Sequence, residues 1–307
     1  MKQKCGVLIA LILSVRCQAA PPATPTSLPT TTPVPTATPS PSPTPTPDPL
    51  ADIELTVAGG SAPLRITYIG NEGFLIEGDG QKIAVDALFA GFRGDDIPRE
   101  RQQLMRDAAP PFDNIDLLLV THSHGDHFEA SIVTDHLVNN PNAVLVSTQD
   151  VVRRVQEQYP GDDLDERIFG YFVDRGQSEE GTFNGIDVKI IYLSHGPGGV
   201  RNNGYIVQVA GYKLLHMGDF GEESMQPLLS YHLANEGLDF AFVPYFYLME
   251  EDLRPIVTEG IQARYNIPMH FYSTTVRRED IFAAIEPAFS NAILFYTELQ
   301  TLTVTPN

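Results

Sequence analysis

The sequence predicts a layered α/β domain with mixed sheets, on three observations. Strand-length apolar runs alternate with helical stretches along most of residues 64–298. Two strand pairs close on glycine-centred turns, Gly78-Asp79-Gly80 and Ala210-Gly211-Tyr212. The run Ile115–Val120 is almost wholly apolar, the pattern of a strand buried on both faces.

The elements follow in order. Leu64–Ile69 alternates as a strand does, and Gly73–Glu77 pairs with Lys82–Asp86 as a hairpin. Residues 87–114 read as irregular apart from a short helix over Arg99–Asp107. A helix is expected over Phe128–Val138 and a strand over Ala143–Val146. Ser147-x-x-Asp150 resembles a capping box for a helix over Val151–Tyr159. Ile186–Leu193 reads as a strand, Tyr205–Val209 and Lys213–Met217 as a second hairpin, and Leu238–Val243 as a strand stopped by Pro244. Leu253–Tyr265 and Arg278–Ala288 read as helices, and Ala292–Tyr296 as the last strand. A hairpin followed by an aspartate occurs twice, at 74–86 and 205–219.

The 307 residues divide into three parts. Residues 1–20 combine Lys2 and Lys4 with the apolar run Gly6–Val15 and small residues at Ala19 and Ala20, the pattern of an export signal. Cys17 closes that run and is a candidate for lipid anchoring, with cleavage near Ala19 as the alternative. The expected location is therefore the cell surface, or a secreted or periplasmic one. Residues 21–50 are dominated by Pro and Thr and read as an extended, disordered linker. Residues 51–307 are long enough for one sizeable domain. That domain has no cysteine, so neither disulfides nor thiolate ligands are open to it. Residues 1–50 hold three of the 20 basic and one of the 39 acidic side chains. The rest therefore carries 17 against 38, a formal −21. Such a surface argues against a nucleic-acid partner, which needs basic stripes.

The most informative stretch is THSHGDHFEA, residues 121–130, directly after the apolar strand. On an extended segment His122 and His124 face the same way and can grip one ion. Gly125 allows a sharp turn, after which Asp126 and His127 can face a second position. Imidazole and carboxylate suit zinc first, with Mn or Fe as alternatives. The motif has too few ligands for two ions, so distant residues must complete the site. His195 and His270 each end an apolar strand and are placed like ligands. Asp219, after a strand and Gly218, is the candidate bridging carboxylate. His216 reads as a core histidine, and His136 and His232 as surface residues.

Thr121-His122-Ser123-His124-Gly125-Asp126-His127, with His195, Asp219 and His270 in order behind it, resembles the metallo-β-lactamase fold superfamily over residues 64–298. The resemblance implies an α/β fold, an αββα sandwich of two mixed β-sheets flanked by helices. It implies His122, His124 and His195 on one divalent ion, Asp126, His127 and His270 on a second, and Asp219 between them. The segments LRITYIGNEGFLIEGDGQKIAVDA and NNGYIVQVAGYKLLHMGDFG resemble the branch of ascorbate-6-phosphate lactonase and N-acyl phosphatidylethanolamine phospholipase D. Asn71 departs from that branch, where histidine is common. The second-histidine pattern of glyoxalase II after the third ligand is absent, and His124 stands where flavo-diiron proteins have glutamate.

The expected function is an exported two-metal hydrolase, using a metal-bridging hydroxide on an ester, lactone or phosphodiester of a small-molecule or lipid-like substrate. Asp126 or Asp219 would accept the proton. Arg201 and Asn202, after the glycine loop, are candidates for binding an anionic group, and Tyr245, Tyr247 and Tyr272 for an aromatic wall with Phe89, Phe246 and Phe271. The alternative is a noncatalytic, surface-tethered binding module with a structural metal. Redox chemistry is disfavoured because no G-x-G-x-x-G follows a strand.

Overall fold

The computed structural model describes residues 50–307, apart from 93–94, 160, 197–199, 223 and 272–276. The export signal, nearly all of the Pro/Thr linker and Tyr272 lie outside the described residues. In chain order the strands are β1 (Ile53–Val57), β2 (Leu64–Gly70), β3 (Gly73–Gly78), β4 (Gln81–Val85), the two-residue ribbon β5 (Gly91–Phe92) and β6 (Asp95–Asp96), β7 (Leu117–Val120), β8 (Val144–Thr148), β9 (Ile168–Tyr171), β10 (Ser178–Phe183), β11 (Ile186–Ser194), β12 (Arg201–Val209), β13 (Tyr212–His216), β14 (Phe240–Pro244), β15 (Tyr265–Met269) and β16 (Thr301–Pro306). The helices are α1 (Arg99–Arg106), α2 (Ala130–Asn139), α3 (Gln149–Gln158), α4 (Gln226–Leu229), α5 (Phe246–Met249) and α6 (Arg278–Ile285).

Two mixed sheets face each other. The first runs β1-β16-β2-β3-β4-β7-β8-β9, the second β10-β11-β12-β13-β14-β15. The period-2 logic of a strand explains the layers. Leu117 and Leu119 of β7 point between the sheets, beside Ile66, Phe74 and Val85, and meet Tyr205 and Phe242 of the second sheet. Leu118 and Val120 point the other way, onto Met105 of α1, Ile132 and Val133 of α2 and Val151 of α3. The inner layer is tied across by Tyr205, whose hydroxyl donates to Val120 O (2.7 Å), and by Phe74 against Phe242 (centroids 4.5 Å). On the outer side of the second sheet lie Leu228 of α4 and Ile281, Phe282 and Ile285 of α6. This is the αββα sandwich.

Four local expectations are corrected. The cap of α3 is Thr148, whose Oγ1 accepts from Val151 N–H (3.5 Å), while Ser147 Oγ donates to Val120 O (2.6 Å) and ties β8 to β7. Leu253–Tyr265 is not one helix. A 3₁₀ turn over Glu251–Leu253 is followed by a π-helical segment, Ile256–Ile261, and Gln262 at φ +57° reverses the chain into β15. The buried Ile256 and Ile261 are five apart, a spacing that a π turn, not an α turn, brings to one face. Ala292–Tyr296 is not a strand beyond one bridge, Asn266 to Ala292. The last strand is β16, which inserts between β1 (parallel) and β2 (antiparallel).

The fourth correction is His136. It is fully buried, and its Nδ1–H donates to Met105 O (2.7 Å), joining α2 to α1. Burial holds its pKa below the ordinary 6.5. The unfolded chain therefore binds more protons between 6.5 and the lowered folded value. Stability is full above that window and falls as pH drops through it. We expect wild type to lose more melting temperature than His136→Gln between about pH 7.5 and about pH 5.5. Equal losses in the two proteins would contradict this. His232 is exposed, as expected of a surface residue.

Candidate metal centre

The site sits along one edge of the sandwich, where strands from both sheets end. β4 delivers Asp86, β7 delivers Thr121 to His127, β11 delivers His195, β13 delivers Asp219 two residues past Met217, and β15 delivers His270. β4, β7 and β8 run parallel, as do β13, β14 and β15, so their carboxyl ends collect on one side.

Asp219 is the centre of the arrangement. Its Oδ2 lies 3.0 Å from His195 Nε2 and 3.5 Å from His122 Nε2. Its Oδ1 lies 3.0 Å from His270 Nε2 and 3.2 Å from His127 Nε2. One carboxylate thus faces two sets of imidazoles, one on each oxygen. His124 joins the first set, with Nδ1 2.9 Å from His122 Nε2. One ligand atom from each of His122, His124, His195 and Asp219 falls within 4.8 Å of the others, and Glu72, Asp219 and His270 make a second such group. Asp126 Oδ2 is 3.7 Å from His127 Nε2, on the second side, and accepts from Asn71 Nδ2 (3.3 Å).

The ring nitrogens turned outward are already occupied. Asp86 is fully buried. Its Oδ1 accepts from Thr121 N–H (2.8 Å), and its Oδ2 from Thr121 Oγ1 (2.7 Å) and His127 Nδ1–H (2.8 Å). Thr121 Oγ1 in turn accepts from His122 Nδ1–H (3.0 Å). With Nδ1 so used, Nε2 of both rings faces inward, the nitrogen left to ligate a cation. His127 Nε2, His195 Nε2, Asp219 Oδ1 and both Glu72 oxygens are buried, yet none makes a hydrogen bond with proper geometry. Buried acceptors crowded around one space without donors are what divalent cations satisfy, so the residues fit the metals that the motif implies.

In the ion-free protein the groups are shifted in opposite directions. Burial, with the neighbouring rings of His127 and His124, holds His122 well below its ordinary range, so it stays a neutral ligand. His124 is lowered by burial and by the neighbouring His195 ring. For His127 burial acts downward, but the charges of Asp219, Asp86 and Glu72 prevail and hold it well above the ordinary value. Asp219 is held well below the carboxylate range by His127 and His270 against the cost of its burial. Burial, then the charge of Asp219, pushes Glu72 well up.

Two acids were not singled out in the sequence. Asp86 ends the first of the two hairpin-then-aspartate patterns, a signal that was visible. Glu72 lies in the tight β2–β3 turn, inside a glycine-flanked run that shows nothing beyond a turn. Asp86 fixes the His127 ring, so replacing it with asparagine should weaken metal binding at this cluster by about 10–100-fold. Chelator competition on folded protein measures this, and unchanged affinity would mean Asp86 serves the fold alone.

The substrate-side candidates fall into different places. Arg201 stacks over Phe172 (3.5 Å to the centroid) and Tyr192 (4.8 Å) and donates to Val173 O. Its Nε is buried without a partner. It lines a groove of about 590 Å³ with Ser123, His124, Arg153, Arg154 and Phe172. Asn202 and Asn203 lie within β12, not in a turn, and both are fully buried. Asn202 Nδ2 donates to Met217 O (2.9 Å), which puts it under the Asp219 turn instead of in the groove. Tyr247 is buried, and its hydroxyl donates to Phe220 O and Glu222 O (2.9 Å each), supporting the same loop from below. Tyr245 stacks on Phe271 (5.7 Å) and Phe246 lies edge-on to His270 (6.0 Å). His216 is the core histidine expected: Nε2–H donates to Glu72 O (2.9 Å) and Nδ1 accepts from Gly218 N–H (3.2 Å).

An edge-sited cluster of five histidines and several acids between two facing sheets defines a metallo-β-lactamase-type centre. The comparisons agree. The family profile described as "Beta-lactamase superfamily domain" matches residues 65–270, and the chain belongs to that superfamily. A UPF0173 metal-dependent hydrolase of Pelotomaculum thermopropionicum is 23% identical over 250 residues, 74% of this chain and 94% of that one. One from Pyrococcus furiosus is 26% identical over 220 residues, 68% and 84% of the two chains. Among solved structures, the metallo hydrolase Igni18 of Ignicoccus hospitalis superposes with a TM-score of 0.56 at 21% identity, covering 78% of this chain and 98% of its own. The metallo-beta-lactamase fold protein YhfI of Bacillus subtilis gives 0.54 at 12% identity, with 79% and 99% covered. These likenesses bear on the fold.

Proposed function

We propose that this metal-dependent hydrolase works with two divalent ions and cleaves an ester, lactone or phosphodiester in a substrate that carries an anionic group. The observation that carries the reading is the placement of Asp219, with one oxygen toward His122 and His195 and the other toward His127 and His270. His122, His124, His195 and Asp219 would hold one ion, zinc by their nitrogen-rich donors. Asp126, His127, His270 and Asp219 would hold the other. When bound, such ions supply a water ionised near neutral pH and positive charge at the oxygen of the bond being cleaved.

The chain's own residues do the rest. Thr121 and Asp86 fix the tautomers of His122 and His127. Asp126 and Asp219 would flank a water held by such ions and are the groups that could take its proton. Arg201 lines the groove beside His124, where its guanidinium suits a carboxylate or phosphate. The bulk charge of the chain is negative, so this local positive charge decides what enters. Tyr245, Phe246 and Phe271 supply an apolar flank next to His270, consistent with a small or lipid-like remainder. The open arrangement of seven histidine and aspartate ligands disfavours a closed structural metal, and with it the binding-module alternative.

Export belongs to the same proposal, resting on the residue pattern of 1–20, with Cys17 as the anchor point. Among the described residues no helix is long and apolar enough to cross a membrane. The test is to strip the protein with a chelator, count ions on reconstitution with Zn²⁺, Mn²⁺ or Fe²⁺, and assay ester, lactone and phosphodiester panels. Two ions per chain and a rate that returns with them are expected. A folded, fully loaded protein inert on all three panels would refute the reading.

A further inference from the structure

Glu72 stands inside the site, though the ligand pattern of the motif has no place for it. It is fully buried, and among the described residues no N–H or O–H donor reaches either of its oxygens. Its neighbours are other groups of the site. One of its oxygens lies within 4.8 Å of ligand atoms of Asp219 and His270, and Oε2 is 3.7 Å from His127 Nδ1, a nitrogen already donated to Asp86.

The turn that carries it is held in place from both sheets. Gly70 at φ +148° and Asn71 at φ +46° reverse the chain between β2 and β3. His216, at the end of β13, donates to Glu72 O (2.9 Å), and the backbone N–H of His270 donates to Asn71 O (3.2 Å). Gly73 packs so closely that a Cβ there would lie 2.8 Å from Asp86 O. A carboxylate fixed this firmly, and left without donors, has a place for a cation beside it.

We propose that Glu72 is an additional protein ligand of the second ion. The inference rests on the two-ion reading above. The second position then has oxygen donors from Glu72, Asp126 and Asp219 with two imidazoles, His127 and His270. The first keeps three imidazoles and one carboxylate oxygen. Oxygen-rich shells suit Mn²⁺ or Fe²⁺, and imidazole-rich four-coordinate shells suit Zn²⁺, so the two positions differ in metal preference. Mn²⁺ or Fe²⁺ is favoured on the Glu72 side.

The experiment compares metal-free wild type with Glu72→Gln, which keeps the volume and removes the charge. Stoichiometry is read by elemental analysis, Mn²⁺ affinity by electron paramagnetic resonance, and Zn²⁺ affinity by chelator competition. Wild type should take two ions. In Glu72→Gln the first Zn²⁺ should bind as in wild type, while Mn²⁺ at the second position weakens at least about tenfold. Metal-free Glu72→Gln should melt at or above wild type, and Mn²⁺ should raise its melting temperature less. Glu72→Ala reads the same affinity independently should the glutamine variant fold poorly. Wild-type Mn²⁺ affinity in either variant overturns the role of Glu72 and leaves the two-ion reading standing. A wild-type chain that takes only one ion overturns both.

Discussion

On the two-ion reading proposed above, Asp219→Asn will lose at least about 10³-fold in kcat/KM and at least one of two ions, while keeping the fold. The expectation follows from how little else joins the two halves of the site. His122 and His195 approach Asp219 Oδ2, and His127 and His270 approach Oδ1, and no other side chain among the described residues faces both sets. An amide keeps the volume but gives up the charge and replaces one acceptor oxygen with an N–H₂ group. That group would point its hydrogens at imidazole lone pairs or at a cation. On the same reading, His122, His124 and His195 would still hold one ion weakly, so the loss should fall mainly on the second. A side effect is checkable by NMR. Asp219 is the largest of the charges that raise His127, so the His127 ring of ion-free Asp219→Asn should titrate at lower pH than in ion-free wild type. Two tightly bound ions and near-normal turnover in the variant would remove Asp219 from the centre of the mechanism.

The second large effect is expected one residue earlier, and it is an effect on folding. Gly218 sits at φ +54°, and a Cβ built there would lie 2.2 Å from Asn202 Oδ1 and 2.7 Å from Thr121 Cβ. Both neighbours are fully buried, so neither can swing away. Gly218→Ala should cost about 2–5 kcal/mol of stability, from left-handed backbone strain together with overpacking. The damage would reach the site directly. Thr121 holds Asp86 and His122, Asn202 holds Met217 O, and Gly218 leads into Asp219. A shift of the urea midpoint, and lower metal content in whatever protein still folds, are the readouts. A variant with an unchanged midpoint and unchanged metal content would show that the turn relaxes freely.

Much of the site was readable because its side chains are of kinds that rarely gather by accident. Three imidazoles and an aspartate in seven positions after an apolar strand announce a metal locally. His195, Asp219 and His270 each follow closely on the end of a strand, where open α/β sheets place their chemistry. The other acids were harder. Asp86 reads like any strand-end aspartate until Thr121 and His127 are seen on it. Glu72 reads like a turn residue, and its burial depends on His216 and His270 arriving from the other sheet. The reverse error came from Asn202 and Tyr247. Their polar atoms suggested substrate contact, whereas packing turned them onto Met217, Phe220 and Glu222 carbonyls. His136 was misjudged for a related reason: a histidine on a mixed helix looks solvated until α1 is known to cover it.

What the sequence determined by itself is what short spacing controls. The two hairpins, the buried strand before the motif, the convergence of His122 with His124 and a domain without thiolates all follow from side-chain periodicity and residue type over a few positions. What only the tertiary structure decided is which distant groups meet. β16 slips between β1 and β2, one buried carboxylate serves two histidine sets, and Glu72 is fixed beside them by contacts up to 198 positions away along the chain. Such meetings depend on how two sheets pack and where their edges coincide, and no local pattern encodes that distance.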